Sequence, residues 1–316
     1  MGTIAVLVKL DEAEHARIRS AAPGWNVLSG ESVTAETVRE SDILLGWREA
    51  FSPAVLDASS KVSWIQTWSA GVDSLPVEAL QGRGVEITSA NGVHANPISE
   101  TIFAMLLAFT RKLHVYVRNQ LERKWHHSGL RLELHGKTIG IAGVGAIGEE
   151  TARIAKAAFG MRVIGMRRSG APAPHVDEMY GAGTQLQWLP ECDYVVSIMP
   201  ATNETKHVFG AQEFAVMKRT AFFVNVGRGS AVDTEALVAA LRDGEIAGAG
   251  LDVFEQEPLP PEHPLWGMEN VIITPHSAGS TELYSTRALD IFLKNLEQVL
   301  RGKPPAVNRL SPQKGY

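Results

Sequence analysis

One stretch, KTIGIAGVGAIGEETARIAKAAF at residues 137–159, constrains this chain more than any other. It runs from a short apolar β-rich segment, through three glycines, into an amphipathic helical pattern. Gly143, Gly145 and Gly148 have the spacing GxGxxG. With 29 glycines in 316 residues, that spacing alone arises by chance about 0.2 to 0.3 times per chain, so its weight comes from its context. A strand ends at the first glycine and a helix starts before the third. Backbone without side chains can there approach a pyrophosphate, and the helix N-terminus supplies positive partial charge. Gly143, Gly145, Ala146, Ile147 and Gly148 are therefore expected to hold the phosphates of a dinucleotide.

The same rhythm extends in both directions. Strands are predicted at Thr3–Val8, Asp42–Trp47, Trp64–Trp68 and Val85–Ser89, and a helix from Asp11 to Ala21 with Asp11 and Glu14 as a capping box. After the glycine turn come strands at Val163–Met166, Tyr194–Met199, Phe222–Val226, Ala249–Val253 and Val271–Thr274. A helix capped by Asp233 runs through Leu241 and is ended by Gly244. Alternating strands and helices imply an α/β protein with parallel sheets. Pro97–Lys112 is apolar on nearly all sides and reads as a buried helix. A last helix spans about Glu282–Leu300. At ~150 residues per domain the length allows two domains. We expect the last helix to return to the first, although periodicity alone does not show this.

Composition removes several classes. A net charge of −5 and a pI near 6.1 provide no basic field for nucleic acid or acidic membrane. The single cysteine, Cys192, excludes an internal disulfide framework and a cysteine-based zinc site, and suits a reducing compartment. The N-terminal MGTIAVLVKL lacks a basic leader region and reads as a first strand. The longest apolar run, Ile102–Phe109, is under half a membrane span. A soluble, cytoplasmic protein is expected. His126-His127 is not spaced as a metal site, and no metal is expected.

The dinucleotide fingerprint places an acid about 20 residues past the glycines, where it bonds the ribose 2′-hydroxyl. This chain has no Asp or Glu from Thr151 to Val176. Its second strand instead ends in Arg167-Arg168. A carboxylate repels a 2′-phosphate, whereas guanidinium groups bind one through charge-assisted bonds. NADP is thus expected in preference to NAD.

Three features follow the later strands, at the carboxyl edge where open α/β sheets hold ligands. FFVNVGRGS puts Arg228 just past a strand. GLDVFEQEP puts Asp252 at a strand end and Glu257 a few residues on. NVIITPHSAGS puts His276 directly after another strand. Each alone has a structural explanation; an Arg, an acid and a His on successive strand ends beside a phosphate loop suggest catalysis. Reducing a carbonyl with a nicotinamide dinucleotide needs hydride on the carbon and a proton on its oxygen. Histidine is the suited donor near neutral pH. A neighbouring carboxylate, proposed as Glu257, favours the imidazolium, and the planar fork of Arg228 can hold a carboxylate and polarise the carbonyl.

The chain resembles the D-2-hydroxyacid dehydrogenase family over nearly its whole length. The resemblance is carried by WIQTWSAGVDSL, LHGKTIGIAGVGAIGEE, CDYVVSIMPATNETKHVF, FFVNVGRGSAVDTEALVAAL, GAGLDVFEQEPLP and NVIITPHSAGST. It implies that Arg228, Glu257 and His276 are the catalytic set, with His276 also touching cofactor and substrate. It further implies that backbone N–H groups at Ala70 and Gly71 complete a substrate carboxylate site, and that Asp252 bonds the nicotinamide carboxamide. Pro200, Thr205, Val226 and Gly227 would line the cofactor. The implied fold has two Rossmann-like parallel-sheet domains: a discontinuous substrate domain (1–96 plus 283–316) and an inserted dinucleotide-binding domain (97–282), with the active cleft between. Members are commonly dimers, so a homodimer is expected. Ending at Tyr316, the chain is expected to lack the regulatory domain of many phosphoglycerate dehydrogenases.

The expected activity is reduction of a small 2-ketoacid, as by glyoxylate/hydroxypyruvate reductases. Two other readings stay open: a cofactor-sensing, corepressor-like protein on the same fold, and a dehydrogenase of another oxyanion such as phosphite. His94 and Glu100 read as a hinge motif. Trp47, Arg48 and Trp68 read as packing residues that could reach the substrate.

Overall fold

Short strands, edge to edge and all parallel, build two sheets in this protein, seen in a computed structural model that describes residues 2–72, 74–127, 129 and 132–310. Asp73 of the motif WSAGVDSL and residues 311–316 of the expected first domain lie outside the described residues. The chain divides into two units. One comprises the residues up to Val93 with those from Thr281 onward, and the other is His94–Ser280.

The first unit contains β1 (Thr3–Val6), β2 (Asn26–Ser29), β3 (Ile43–Leu45), β4 (Trp64–Gln66) and β5 (Glu86–Thr88) in the order β2-β1-β3-β4-β5. Successive residues of a strand point to opposite faces, and both faces are apolar. Ile4, Val6, Ile43, Leu45 and Trp64 pack against Ile18 of the helix Glu12–Ala21 and against Leu289, Phe292 and Leu296 of the helix Tyr284–Leu300. Ala5, Leu44, Ile65 and Ile87 face the short helices that carry Val38, Val55 and Leu80. Phe292 stacks on Trp64 with ring centroids 5.2 Å apart. Truncating so large a buried ring costs about 3–5 kcal/mol, which makes this helix part of the first sheet's core. The Asp11 carboxylate accepts from Glu14 N–H while Glu14 accepts from Asp11 N–H, the reciprocal cap written in the sequence.

The second unit contains β6 (Thr138–Ala142), β7 (Arg162–Met166), β8 (Glu178–Tyr180), β9 (Tyr194–Ser197), β10 (Phe222–Asn225), β11 (Gly248–Leu251) and β12 (Val271–Ile273). Their order is β12-β11-β10-β9-β6-β7-β8. Ile139, Ile141, Val163, Val196, Phe222 and Val224 look to one face, under the helices Ala95–Thr110 and Ala146–Phe159. Val195, Phe223, Ala249 and Leu251 look to the other, under Trp188, Phe214, Leu237 and Leu241. Apolar residues on both faces are what a doubly wound parallel sheet requires. The predicted buried helix is Ala95–Thr110, with Ile102, Phe103, Met105, Leu106 and Phe109 buried.

Strands in both halves are shorter at their carboxyl ends than the apolar runs suggest. Val226 and Met199, for example, leave the ladder and enter loops. Two strands absent from the sequence reading, β2 and β8, are both sheet edges and only partly buried.

Candidate active site

The register of the second sheet aligns Met166, Ala142, Ser197, Asn225, Leu251 and Ile273 in one row across its carboxyl end. Of the site residues expected from this half of the chain, Gly143, Arg167, Val226 and Asp252 lie directly beyond that row, and Pro200, Arg228 and His276 three residues past it. Strand order reverses between β6 and β9, so the glycine turn at the end of β6 occupies the switch point where open α/β sheets bind ligands.

The turn fits a dinucleotide. Gly143 adopts φ 101°, and a Cβ there would meet the Ile198 carbonyl oxygen at 2.6 Å. At Gly148 a Cβ would meet the Gly143 oxygen at 2.7 Å, so this glycine lets the helix start directly against the turn. Gly145 is exposed with nothing within 4 Å of where a Cβ would be, which leaves its face open for a phosphate. The amides of Ala146 and Ile147 open the helix, where no carbonyl within the helix can satisfy them.

The two arginines after β7 differ. Arg167 donates from Nε to the Ala171 carbonyl at 2.7 Å and from Nη2 to the Pro172 carbonyl, and lies 3.8 Å from Glu149. It shapes its own loop. Arg168 is exposed, and its charge helps hold the Glu204 carboxyl below its usual range, behind the larger effects of hydrogen bonds from Thr202 and from Glu204's own backbone. Arg168 therefore lies within electrostatic reach of Glu204, on the loop that also carries Pro200 and Thr205. That loop is braced by Thr205, whose Oγ1 donates to the Pro200 carbonyl at 2.6 Å.

Asp252 is 2% exposed. Its Oδ1 accepts from Thr274 Oγ1 at 2.5 Å and Ser277 N–H at 2.9 Å, and its Oδ2 from Ala278 N–H at 3.0 Å. Its carbonyl accepts from His276 N–H at 2.8 Å. One buried carboxylate thus folds residues 274–278 around itself and holds His276 at φ 52°, a left-handed conformation uncommon outside glycine.

So held, His276 meets Glu257: Nδ1 lies 2.7 Å from Oε2. Oε1 of Glu257 accepts from Phe254 N–H at 2.9 Å. Burial, the largest single influence on Glu257, pushes its carboxyl up. The bonds from His276 and Phe254, with the nearby charges of His276 and Arg228, together bring it below the usual carboxylate value. An ionised carboxylate only accepts, so Nδ1 of His276 carries hydrogen and Nε2 is the atom turned to other partners. Arg228 is exposed; its Nη1 donates to the Gly227 carbonyl at 2.9 Å. The sequence analysis missed Asn225. This buried residue ends β10, donates from Nδ2 to the Arg228 carbonyl at 3.2 Å, and accepts from Gly227 N–H at 3.3 Å. An amide closing the otherwise apolar run FFVN was the available signal.

Three consecutive strand ends therefore bring a guanidinium, a carboxylate and an imidazole together within one unit. A family model for the D-isomer specific 2-hydroxyacid dehydrogenase NAD binding domain matches residues 103–278. The chain belongs to the D-isomer specific 2-hydroxyacid dehydrogenase family. This dehydrogenase is 35% identical over 290 residues to a glyoxylate reductase of Korarchaeum cryptofilum, covering 87% of this chain and 84% of that one. It is 36% identical over 276 residues to a glyoxylate/hydroxypyruvate reductase B of Salmonella schwarzengrund, covering 85% and 84%. Among solved structures, a D-isomer specific 2-hydroxyacid dehydrogenase from Xanthobacter autotrophicus Py2, in complex with NADPH and MES, superposes with a TM-score of 0.78. The two are 28% identical over 100% of this chain and 99% of that one. The enzyme is an oxidoreductase with a nicotinamide dinucleotide cofactor.

The expected site residues of the other unit are described by themselves. Ala70 and Gly71 lie in the loop after β4, where Ser69 Oγ donates to the Gly71 carbonyl at 2.6 Å. Trp47 Nε1 donates to the Ser74 carbonyl at 3.1 Å, and Arg48 Nε to the Leu7 carbonyl at 2.8 Å. Trp68 meets Tyr284 edge to face. In the second unit, His94 Nδ1 lies 3.0 Å from the Gly279 oxygen. No helix among the described residues is long and apolar enough to cross a membrane.

Proposed function

We propose that this dehydrogenase reduces small 2-ketoacids such as glyoxylate and hydroxypyruvate to D-2-hydroxy acids with NADPH, and that His276 delivers the proton. The contact between His276 Nδ1 and Glu257 Oε2 carries the reading. It leaves Nε2, the nitrogen a proton donor would use, outside that bond. Reduced nicotinamide, when bound, supplies hydride to C2 of the ketoacid. Arg228 holds the substrate carboxylate and polarises the carbonyl through its planar fork. His276 gives the proton on Nε2 to the developing alkoxide, and Glu257 stabilises the imidazolium until that transfer. Backbone N–H groups at Ala70 and Gly71 are proposed to complete the carboxylate site.

Gly143, Gly145, Ala146, Ile147 and Gly148 would take the pyrophosphate, and Pro200, Thr205, Val226 and Gly227 would line the cofactor. A carboxylate has about four acceptor positions. Asp252 uses three on its own loop, which leaves one for the carboxamide. The preference for NADPH rests on Arg168, exposed beyond β7 where NAD-binding chains place an acid. Arg167 keeps that loop in shape. In this reading His94–Ser280 is the dinucleotide unit and the other unit binds substrate.

A homodimer goes with the same reading. Leu113, Val117 and Leu121 recur every fourth residue along the helix Leu113–Leu121 and are 51%, 57% and 80% exposed, with Trp125 exposed beyond them. Contiguous apolar surface of this kind marks an interface. The buried thiol of Cys192 suits the reducing cytoplasm, where we place the enzyme.

Initial rates for a panel of 2-ketoacids, each with NADPH and with NADH, test the reading. We expect turnover of glyoxylate or hydroxypyruvate with a higher kcat/KM for NADPH. Tight cofactor binding without turnover of any 2-ketoacid would contradict it.

A further inference from the structure

We propose that Glu255 and His207 form a clasp that positions Glu257 against His276. This rests on the catalytic roles proposed above and adds two residues to them. Glu255 stands two residues before Glu257 on the loop after β11, but its carboxylate turns to different partners. Oε1 lies 2.6 Å from His207 Nε2, and Oε2 accepts from Thr234 N–H at 2.9 Å. Thr234 is the first residue of the helix Thr234–Asp243, so Glu255 also sits where a helix favours negative charge. His207 is held in turn: it adopts φ 51°, and its N–H donates to the Ser230 carbonyl at 2.9 Å.

One carboxylate thus ties together three loops that leave β9, β10 and β11. They carry His207, then Arg228 to Thr234, then Phe254 to Glu257. Both functional side chains lie on the tied segments. Arg228 is two residues from Ser230, and Glu257 is anchored to Phe254 N–H, the amide next to Glu255. Glu255 bonds to His207 and Thr234 rather than to Arg228 or His276, so it is a positioning residue. Its carboxylate faces the His207 ring; that of Glu257 faces the His276 ring and feels Arg228. Releasing the clasp lets residues 254–257 drift, and Glu257 then no longer holds its charge against His276.

The test compares Glu255→Ala and Glu255→Gln with wild type in four measurements. These are the His276 ring pKa by NMR on histidine-labelled protein, kcat and KM for hydroxypyruvate, NADPH affinity, and thermal midpoint. In Glu255→Ala we expect kcat to fall about tenfold and the measured His276 ring pKa to fall with it, with NADPH affinity within about twofold of wild type. Glu255→Gln keeps an acceptor for Thr234 and a hydrogen bond to His207, and should recover kcat to within about threefold and restore the ring pKa. A general loss of stability would lower the thermal midpoint without moving the ring pKa. An unmoved His276 pKa in folded Glu255→Ala overturns the clasp. If Glu255→Ala fails to fold, His207→Asn, which leaves the Thr234 bond intact, replaces it with the same two outcomes. If wild type reduces no 2-ketoacid, the functional reading fails on that result, while the His276 pKa still decides the clasp.

Discussion

Gly229 packs so closely on Phe254 that a Cβ added to it would fall 1.9 Å from the Phe254 carbonyl carbon. The contact is backbone to backbone, so neither side can yield by turning a side chain. It joins the residue after Arg228 to the residue whose N–H holds Glu257. The main chain that carries Arg228 is therefore fixed closely against the main chain that anchors Glu257.

Gly229→Ala should accordingly injure the site more than a surface methyl would. Overpacking at a rigid contact costs about 1–3 kcal/mol, and here the displaced segment carries Glu257. We expect a lower thermal midpoint and, in the folded fraction, a reduced kcat with NADPH affinity largely retained. Differential scanning fluorimetry with steady-state kinetics reads both.

Glu257→Gln should move the pH dependence of reduction. In the proposed mechanism reduction uses protonated His276, so activity should be present at low pH and fall as the ring loses its proton. Removing the neighbouring negative charge should shift the alkaline limb of kcat/KM to lower pH. For stability the sign is set by the carboxyl group. Glu257 titrates lower in the folded protein than its usual 4.5. Its pairing therefore stabilises the fold above that pH, and the contribution fades as pH falls through the depressed value. Thermal midpoints of wild type and variant should converge in acid.

The two arginines after β7 should separate on substitution. Arg168→Ala removes a charge proposed for the 2′-phosphate, so KM for NADPH should rise about 10- to 100-fold while KM for NADH changes little. Arg167→Ala releases the loop that Ala171 and Pro172 close, and should weaken both cofactors alike. Parallel titrations distinguish the two.

Charge placed on the exposed apolar stripe should prevent the proposed dimer from forming. Val117→Asp with Leu121→Asp buries two unpaired carboxylates in any interface on the helix Leu113–Leu121. Sedimentation velocity should show a dimer for wild type and a monomer for the double variant.

Local signals were the legible ones. Asp11 with Glu14, Gly160 after the helix Ala146–Phe159, and Asp233 with Gly244 each act within a turn or two, so sequence alone places them. β2 and β8 escaped because edge strands bury little and carry weak apolar patterning. Arg228, Glu257 and His276 were named because each follows a strand. Glu257 was proposed as the carboxylate beside His276, and the two do meet; what the sequence did not carry is how Asp252 holds residues 274–278 in place for that contact. Glu255, two residues before Glu257, was not singled out, because nothing local in FEQEP shows that it meets His207.

The central claim is that His276 donates the proton. The most direct measurement is kcat for hydroxypyruvate at saturating NADPH in wild type and His276→Ala, with NADPH affinity measured on the same samples. We predict a loss of about 10²- to 10⁴-fold in kcat with cofactor affinity nearly unchanged. A His276→Ala enzyme that turns over within a few-fold of wild type would contradict the account.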